Sequence, residues 1–329
     1  MAEQVFQNSA LRYAAFGDPR KVLRLESGTL PPVAPDALRI EMRYAPINPS
    51  DLIPITGAYS HLITPPMTAG YEGVGRVVSA PAGSDHASGQ RVLALRGAGT
   101  WQRFVDCDPA IAVPVPDDIP DTVAARAYIN PLSALHLLRL WPVAGKHVML
   151  TGAGSYIAAL LAQWAYADGA ASVTGVYRSP ERLDWLRALG VQPLAERDSD
   201  RVVASARQAD IVFDAVGGSL GSAVLGAMRS GTDCVGYGLL SGQPVLPPRG
   251  TLASHRRFHL RDVLRDMDAA TWQDGFVRLW PRLRATRLPG TQEFEMARWR
   301  EALDAFDAPG RWAKPLLRLG PPGTRNESV

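Results

Sequence analysis

A glycine-rich segment in the middle of the chain has the residue types needed to bind a phosphate. It runs Thr151-Gly152-Ala153-Gly154-Ser155-Tyr156-Ile157-Ala158, between an apolar run over 146–150 and an apolar-periodic stretch over 157–167. When such a turn joins a strand to a helix, its backbone N–H groups can approach a pyrophosphate at the positive helix N-terminus. The turn predicts a dinucleotide site, although a tight strand–helix connection is the simpler alternative. The residues predicted to contact the cofactor here are Gly152, Gly154, Ser155, Tyr156 and Ile157.

Two arginines follow the next expected strand, which ends at Tyr177. Arg178 stands directly after it, and Arg182 lies one helical turn further on. An NAD site usually places an acidic residue at this point, whereas a guanidinium can bind a 2′-phosphate through two parallel hydrogen bonds. We therefore predict NADPH rather than NADH, with a solvated arginine at a strand end as the alternative.

Composition excludes several other classes of function. The 35 basic and 32 acidic side chains give a net charge of +3, and the arginines are scattered, so neither nucleic acid nor a membrane surface is expected as a partner. Cys107 and Cys234 are far apart, which argues against a disulfide framework and against a cysteine metal site. The N-terminus shows no basic region followed by an apolar stretch, so we expect no signal peptide and a cytoplasmic protein.

The elements that position these residues fall into two domains of different character. Short β-like runs separated by Pro and Gly fill roughly the first 120 residues, and strands alternate with helices from about Pro120 to 262. The expected strands over 146–150, 172–177, 210–218 and 234–238 imply a parallel, doubly wound sheet over 123–262. A helix is expected over 294–308. We assign 1–122 and 263–329, which ends in an expected strand from Lys314, to the mostly β domain.

With these residues in view, the chain resembles the medium-chain dehydrogenase/reductases, and among them the zinc-free enoyl reductases and quinone reductases. The resemblance extends from about residue 10 to 320. It is carried by 47–51 (INPSD), 57–59 (GAY), 70–75 (GYEGVG), 100–101 (TW), 130–134 (NPLSA), 216–218 (VGG) and the terminal KPLL strand. It implies an α/β chain with a GroES-like catalytic domain, an inserted Rossmann domain and NADPH-dependent oxidoreductase activity.

The resemblance also indicates that zinc has been lost. Zinc alcohol dehydrogenases of this superfamily have a cysteine and a histidine where this chain has Asn48 and Tyr71. An amide and a phenol cannot replace thiolate and imidazole as zinc ligands. Without a Lewis acid, we expect reduction of an activated C=C bond rather than alcohol oxidation, on a small-molecule or thioester-linked substrate.

Two residues are the predicted catalytic pair. In mitochondrial-type 2-enoyl thioester reductases a tyrosine just after the NPSD segment serves the site, and Tyr59 matches it, implying a hydrogen-bond or proton donor to the developing enolate. Asn48 is expected to orient the substrate or the nicotinamide. The alternatives are a loop tyrosine and turn chemistry before Pro49. Glu72 is expected to be structural.

Asn130, Tyr237 and Gly238 are predicted to contact the nicotinamide side of the cofactor, with a simple turn after the strand as the alternative for Tyr237 and Gly238. A homodimer is expected, because relatives commonly pair along the edge strand near 234–238. Two other functions stay open: an NADPH:quinone oxidoreductase, and a non-catalytic NADPH-binding protein.

Overall fold

The computed structural model describes residues 5–94 and 99–320, which form two compact units. The first comprises Met1–Tyr128, Asp268–Trp280 and Gly290–Val329, and the second comprises Ile129–Met267 and Pro281–Pro289. The sequence placed the inserted domain at 123–262. Within the described residues, the main segment of the second unit begins at Ile129, six residues after the expected start, and ends at Met267, five residues after the expected end. A second short segment, 281–289, also belongs to this unit.

The strands in chain order are β1 Gln7–Tyr13, β2 Arg24–Thr29, β3 Leu38–Pro46, β4 Met67–Thr68, β5 Val74–Ser79, β6 Arg91–Leu93, β7 Phe104–Cys107, β8 Val113–Pro114, β9 His147–Leu150, β10 Ser172–Tyr177, β11 Gln192–Ala195, β12 Ile211–Asp214, β13 Asp233–Gly236, β14 Ser254–Arg257, β15 Thr291–Glu295 and β16 Lys314–Arg318. The α-helices are α1 Pro19–Val22, α2 Pro49–Leu52, α3 Asp121–Ala124, α4 Ile129–Leu140, α5 Tyr156–Ala167, α6 Leu183–Ala188, α7 Ser199–Ala206, α8 Gly218–Ala227, α9 Leu260–Leu264, α10 Ala269–Arg284 and α11 Trp299–Asp307. Short 3₁₀ helices occur at Ile53–Thr56, Pro109–Ile111, Pro180–Arg182 and Met296–Arg298.

The first unit is built on a sheet ordered β15-β16-β3-β5-β6-β8, with β7 also paired to β3, beside a smaller β2-β1-β4 sheet. Two glycines of the GYEGVG segment let β5 approach β3 closely. A Cβ on Gly73 would lie 2.8 Å from the Tyr44 carbonyl oxygen, and one on Gly75 would lie 2.5 Å from that of Glu41. These glycines therefore serve packing.

The second unit contains the parallel sheet, ordered β11-β10-β9-β12-β13-β14. All five pairings are parallel, so the carboxyl ends of the strands meet at one edge, where ligands of open α/β sheets bind. Its core includes the buried Met149, Val212 and Cys234 from three neighbouring strands. The mixed α/β architecture, a GroES-like sheet and a parallel Rossmann-like sheet, is the predicted fold class.

Two local expectations were wrong. Residues 294–308 are not one helix, because Thr291–Glu295 forms β15 alongside β16 and the α-helix begins only at Trp299. The strand near 234–238 is not at the edge of the sheet, since β14 pairs with its outer side. In the part of the chain that the structure describes, no helix is both long enough and apolar enough to span a membrane.

Candidate functional site

The glycine turn forms the junction between β9 and α5, as the sequence predicts. Gly152 has a φ of +59°, in the left-handed region, and a Cβ there would lie 3.3 Å from the Ala215 Cβ. Ser155 caps α5, because its hydroxyl accepts a hydrogen bond from the Ala158 N–H at 3.3 Å. The 12-residue helix thus begins at the turn, and the positive end of its dipole lies where a phosphate would bind.

Arg182 packs directly on this turn. A Cβ on Gly154 would lie 3.0 Å from the Arg182 Cγ, so only the absence of a side chain at Gly154 lets the arginine lie so close. Arg178 is exposed just beyond the end of β10, the strand that pairs with β9. The structure therefore brings two arginines to the carboxyl edge of β9 and β10. A glycine cradle with adjacent arginines fits a phosphorylated dinucleotide.

A buried hydrogen-bond network joins the glycine turn to the end of β12. The Thr151 hydroxyl donates to the Asp214 carboxylate and accepts from the Ala215 N–H at 2.9 Å. The same carboxylate accepts from the Val216 N–H at 3.0 Å and from the Gly217 N–H at 3.1 Å. Asp214 is fully buried, so it acts as a fixed acceptor that shapes both loops. Sequence analysis did not single out this pair.

Tyr237 and Gly238 lie in the loop that follows β13. The Tyr237 N–H donates to the Asp214 carbonyl at 2.9 Å, and its hydroxyl is buried. Burial and then the Asp214 charge raise the Tyr237 pKa, while Ser155 acts in the opposite direction. A Cβ on Gly238 would lie 2.7 Å from the Ala215 carbonyl oxygen, so glycine permits this loop to touch the one after β12. Both residues therefore lie at the carboxyl edge of the sheet.

Three other residues predicted to bind the cofactor have different settings. Tyr156 and Ile157 form the first turn of α5 and are only 9% and 8% exposed. Their side chains pack inside the unit, so a ligand at the turn would meet their backbone. Asn130 is the second residue of α4 and is half-buried.

Tyr59 lies in the first unit on a tight turn. The 3₁₀ helix Ile53–Thr56 ends at Gly57, whose φ of +91° requires glycine. The Tyr59 carbonyl then accepts from the N–H groups of Leu62 and Ile63, at 2.8 and 3.1 Å. The side chain is half-buried, and its ring centroid is 6.3 Å from that of the exposed His61. The backbone of the predicted donor is thus held from both sides.

Asn48, the other predicted catalytic residue, is at the centre of a buried polar cluster. Its Nδ2 donates to the Glu72 carboxylate at 2.6 Å, and its Oδ1 accepts from the Lys314 ammonium at 2.5 Å. Its backbone N–H donates to the Asp51 carboxylate at 2.7 Å, which also accepts from the Tyr71 N–H at 3.0 Å. Asn48 therefore lies at the start of the segment that carries the predicted donor, with both its backbone and its side chain held.

Two ionisable members of this cluster, Asp51 and Lys314, have pKa values far from their usual range. Burial, followed by the Glu72 charge, raises the pKa of Asp51 to about 7, against the opposing effect of the Asn48 N–H. Burial lowers the pKa of Lys314 to about 8; Glu72 raises it, and Arg311 lowers it further. Burial therefore disfavours the charged forms of Asp51 and Lys314, and neighbouring charges partly offset this effect.

This donor set does not fit zinc. The two positions that resemble zinc-ligand positions hold Asn48 and Tyr71, and the Asn48 oxygen is already bound to the cationic Lys314. An ammonium group at that point opposes a second cation. Within residues 5–94 and 99–320, no three His, Cys, Asp or Glu side chains are grouped to hold a metal ion.

Comparison with known proteins identifies the class of protein that this fold and these sites define. Residues 34–117 match the model of the alcohol dehydrogenase GroES-like domain, and 157–279 match that of the zinc-binding dehydrogenases. The mitochondrial enoyl-[acyl-carrier-protein] reductase of Homo sapiens is 28% identical over 334 residues, covering 94% of this chain and 88% of the relative.

Two solved structures point to the same class of protein. A Bacillus thuringiensis protein assigned as an NADPH:quinone reductase is 30% identical, with a TM-score of 0.88, covering 96% of this chain and all of the other. The complex of Etr1p with NADP and crotonyl-CoA shares the fold with a TM-score of 0.82 at 18% identity, covering 95% and 100%. The chain belongs to the medium-chain dehydrogenase/reductase superfamily. These findings confirm three expectations: the superfamily, the oxidoreductase class and NADPH as cofactor.

Sequence analysis missed Lys314 as a member of the site. A signal was present, because the chain has only three lysines and this one opens an apolar strand. A lysine rarely becomes fully buried unless it is paired, so its position was informative. Its partner could not be inferred, since Asn48 is 266 residues away.

Proposed function

We propose that this protein reduces the activated C=C bond of a 2-enoyl thioester with NADPH. The observation that carries the proposal is Tyr59, a half-buried phenol on a turn whose backbone is fixed at Gly57 and at Ile63. The similarity to enoyl-[acyl-carrier-protein] reductases over 94% of the chain supports this substrate class.

When bound, NADPH supplies a hydride to the substrate β-carbon, and we propose that the turn at Gly152–Ser155 holds it together with Arg178 and Arg182. As charge develops on the conjugated carbonyl oxygen, the Tyr59 hydroxyl donates a hydrogen bond to it. The phenol then gives its proton to the substrate α-carbon, which completes the saturated thioester, and the phenolate takes up a proton from solvent. We propose that this requires no zinc, which the unsuitable donor set at Asn48 and Tyr71 supports.

Tyr59→Phe tests the proposal because it removes one hydroxyl and keeps the ring. We expect kcat for crotonyl thioester reduction to fall by about 100-fold to 1,000-fold, as for loss of one oxyanion donor. NADPH affinity, measured by the fluorescence of the reduced nicotinamide, should not change. Tyr13→Phe is the matched control, since Tyr13 is a buried tyrosine of the same unit whose hydroxyl contacts the Met67 sulfur at 3.5 Å. An undiminished kcat in Tyr59→Phe refutes the donor role.

A quinone is the second candidate substrate, and the 30% identity to the Bacillus thuringiensis protein favours it. Quinone reduction has less need of a phenol donor, so turnover of a naphthoquinone should survive Tyr59→Phe. Turnover of quinones without turnover of thioesters selects this alternative. Binding of NADPH without turnover of either acceptor selects a non-catalytic role.

We also propose a homodimer in the cytoplasm. β14 lies at the edge of the described parallel sheet with His255, Arg256 and Arg257 exposed, which leaves one side for pairing. Cys107 and Cys234 are both free thiols, as suits a reducing compartment. Light scattering at micromolar concentration tests the dimer, because a monomeric mass would contradict it.

A further inference from the structure

The buried cluster of the first unit contains a continuous chain of side chains with opposite charges at its ends. Lys314 is bonded to the Asn48 oxygen and Glu72 to the Asn48 nitrogen. Asn48 and Glu72 are each 1% exposed, and Lys314 is 7% exposed. The second Glu72 oxygen accepts from the Tyr128 N–H at 3.2 Å. This hydrogen-bonded series therefore extends from Lys314, at the start of β16, to the backbone of Tyr128, the last residue of this unit before α4.

Stability alone does not account for such a chain. Removing two charges from water carries a large desolvation penalty. A protein with apolar residues of similar volume in their place is often as stable or more stable. Buried ion pairs are better explained where they fix one arrangement among several, which is a hypothesis to be argued for each protein.

The hydrogen bonds from Lys314 and to Glu72 first fix the orientation of the Asn48 amide. A lysine ammonium can only donate, and an ionised carboxylate can only accept. Lys314 must therefore face the amide oxygen, and Glu72 must face the amide nitrogen. Turning the amide over would place donor against donor and acceptor against acceptor, so the two charges exclude that state.

The second thing it fixes is the start of the segment that carries Tyr59. Asn48 precedes α2, and the Asp51 carboxylate in α2 accepts from the Asn48 N–H. The 3₁₀ helix Ile53–Thr56 follows α2 directly and ends at Gly57, two residues before Tyr59. No irregular chain separates the cluster from this turn. A displacement of Asn48 is therefore carried along short helical segments to Tyr59.

We propose that Lys314 and Glu72 are positioning residues, which hold the Asn48 amide between them and thereby set the place of the Tyr59 phenol. This rests on the proposed role of Tyr59 as donor. Neither residue needs to touch the substrate. Their effect is on geometry, where a misplacement of about 1 Å can cost roughly 100-fold in rate.

A double-mutant cycle between Lys314→Met and Tyr59→Phe tests the proposal. With Tyr59 present, Lys314→Met should lower kcat by about 10-fold to 100-fold, with the KM for the thioester and the Kd for NADPH nearly unchanged. In the Tyr59→Phe background, it should lower kcat by less than about threefold, because the group it positions is gone. Equal losses in both backgrounds would overturn the proposal.

The paired variant Lys314→Met/Glu72→Gln removes both charges together. It should therefore stay folded even where Lys314→Met alone destabilises the fold. It should keep a thermal unfolding midpoint near that of the wild type and show the same reduced kcat. A folded paired variant with wild-type kcat would contradict positioning. Arg39→Met is the matched control, because Arg39 is a buried cation of this unit bound to Asp106 and the Pro31 carbonyl. Its loss should act equally with and without the Tyr59→Phe substitution.

The two proposals fail in different ways. If Tyr59→Phe alone leaves thioester reduction intact, the donor role fails. If Tyr59→Phe is strongly impaired but the cycle shows independent effects, only the positioning role of Lys314 and Glu72 fails.

Discussion

We propose that two arginines, Arg178 and Arg182, determine which dinucleotide the second unit prefers. Arg182 lies against Gly154, within the turn that would hold the pyrophosphate, and Arg178 follows the neighbouring strand. Only NADPH carries a 2′-phosphate for these groups to bind. On this proposal the preference comes from side chains, whereas dinucleotide binding itself depends on the backbone of the turn.

Removing both arginines should affect one cofactor only. For Arg178→Ala/Arg182→Ala we expect the Kd for NADPH to rise by about 10-fold to 100-fold, since a hydrogen bond to a charged group contributes about 1.5–3 kcal/mol. The Kd for NADH should change by less than about twofold. Arg187→Ala is the control, because Arg187 is exposed and pairs with Asp184 at 3.6 Å. Titration calorimetry with both dinucleotides measures the result, and equal weakening of both would contradict it.

Residue-level prediction from sequence works best where chemistry is local. Gly152, Ser155 and Arg182 lie within one strand–turn–helix unit and its neighbour, so spacing alone brought them together. Asn48 and Lys314 meet only because β16 pairs with β3 from the opposite end of the chain. No spacing rule contains that pairing, so the ammonium beside the amide could not be foreseen.

At the level of elements, apolar strands and amphipathic helices were the predictable part. Ser172–Tyr177 matches its predicted bounds, and α5 matches within one residue. β14 reads SHRR and has no apolar period, because an edge strand needs no two-sided burial. β15 forms where a helix was expected to begin, since pairing with β16 outweighs local propensity.

The loops after β12 and β13 touch through a glycine, which gives a prediction at this level. Gly238→Ala would place a Cβ 2.7 Å from the Ala215 carbonyl oxygen, a backbone atom that cannot turn aside. We expect the free energy of unfolding to fall by about 1–3 kcal/mol, as for other overpacking changes. Gly236→Ala is the control, because its Cβ would meet nothing closer than 3.6 Å. Urea unfolding measures the difference, and equal midpoints would show that the loops separate without cost.

At the scale of the whole molecule, buried titratable groups in both units make stability depend on pH: His136 on α4 of the second unit, and Lys314 and Asp51 of the buried cluster in the first. Burial lowers the pKa of His136 to about 4, and burial of Lys314 lowers its pKa to about 8. His136 therefore contributes stability above its unfolded pKa of about 6.5 that is lost as the pH falls toward 4. Lys314 contributes stability above about pH 10 that is lost as the pH falls toward 8. Between pH 5 and 7, Lys314 is protonated in both states and adds no slope.

Asp51 acts in the opposite sense, and Asp51→Asn isolates it. Its folded pKa of about 7 lies above the unfolded value of about 3.9, so the folded protein holds the proton longer. Its contribution is complete below about pH 4 and is lost as the pH rises to 7. The wild type should therefore lose more stability between pH 5 and 7 than Asp51→Asn, in which position 51 does not titrate. The His136 contribution is common to both proteins and cancels in the difference. Urea unfolding at the two pH values measures this, and parallel changes in both proteins would mean that Asp51 is ionised throughout.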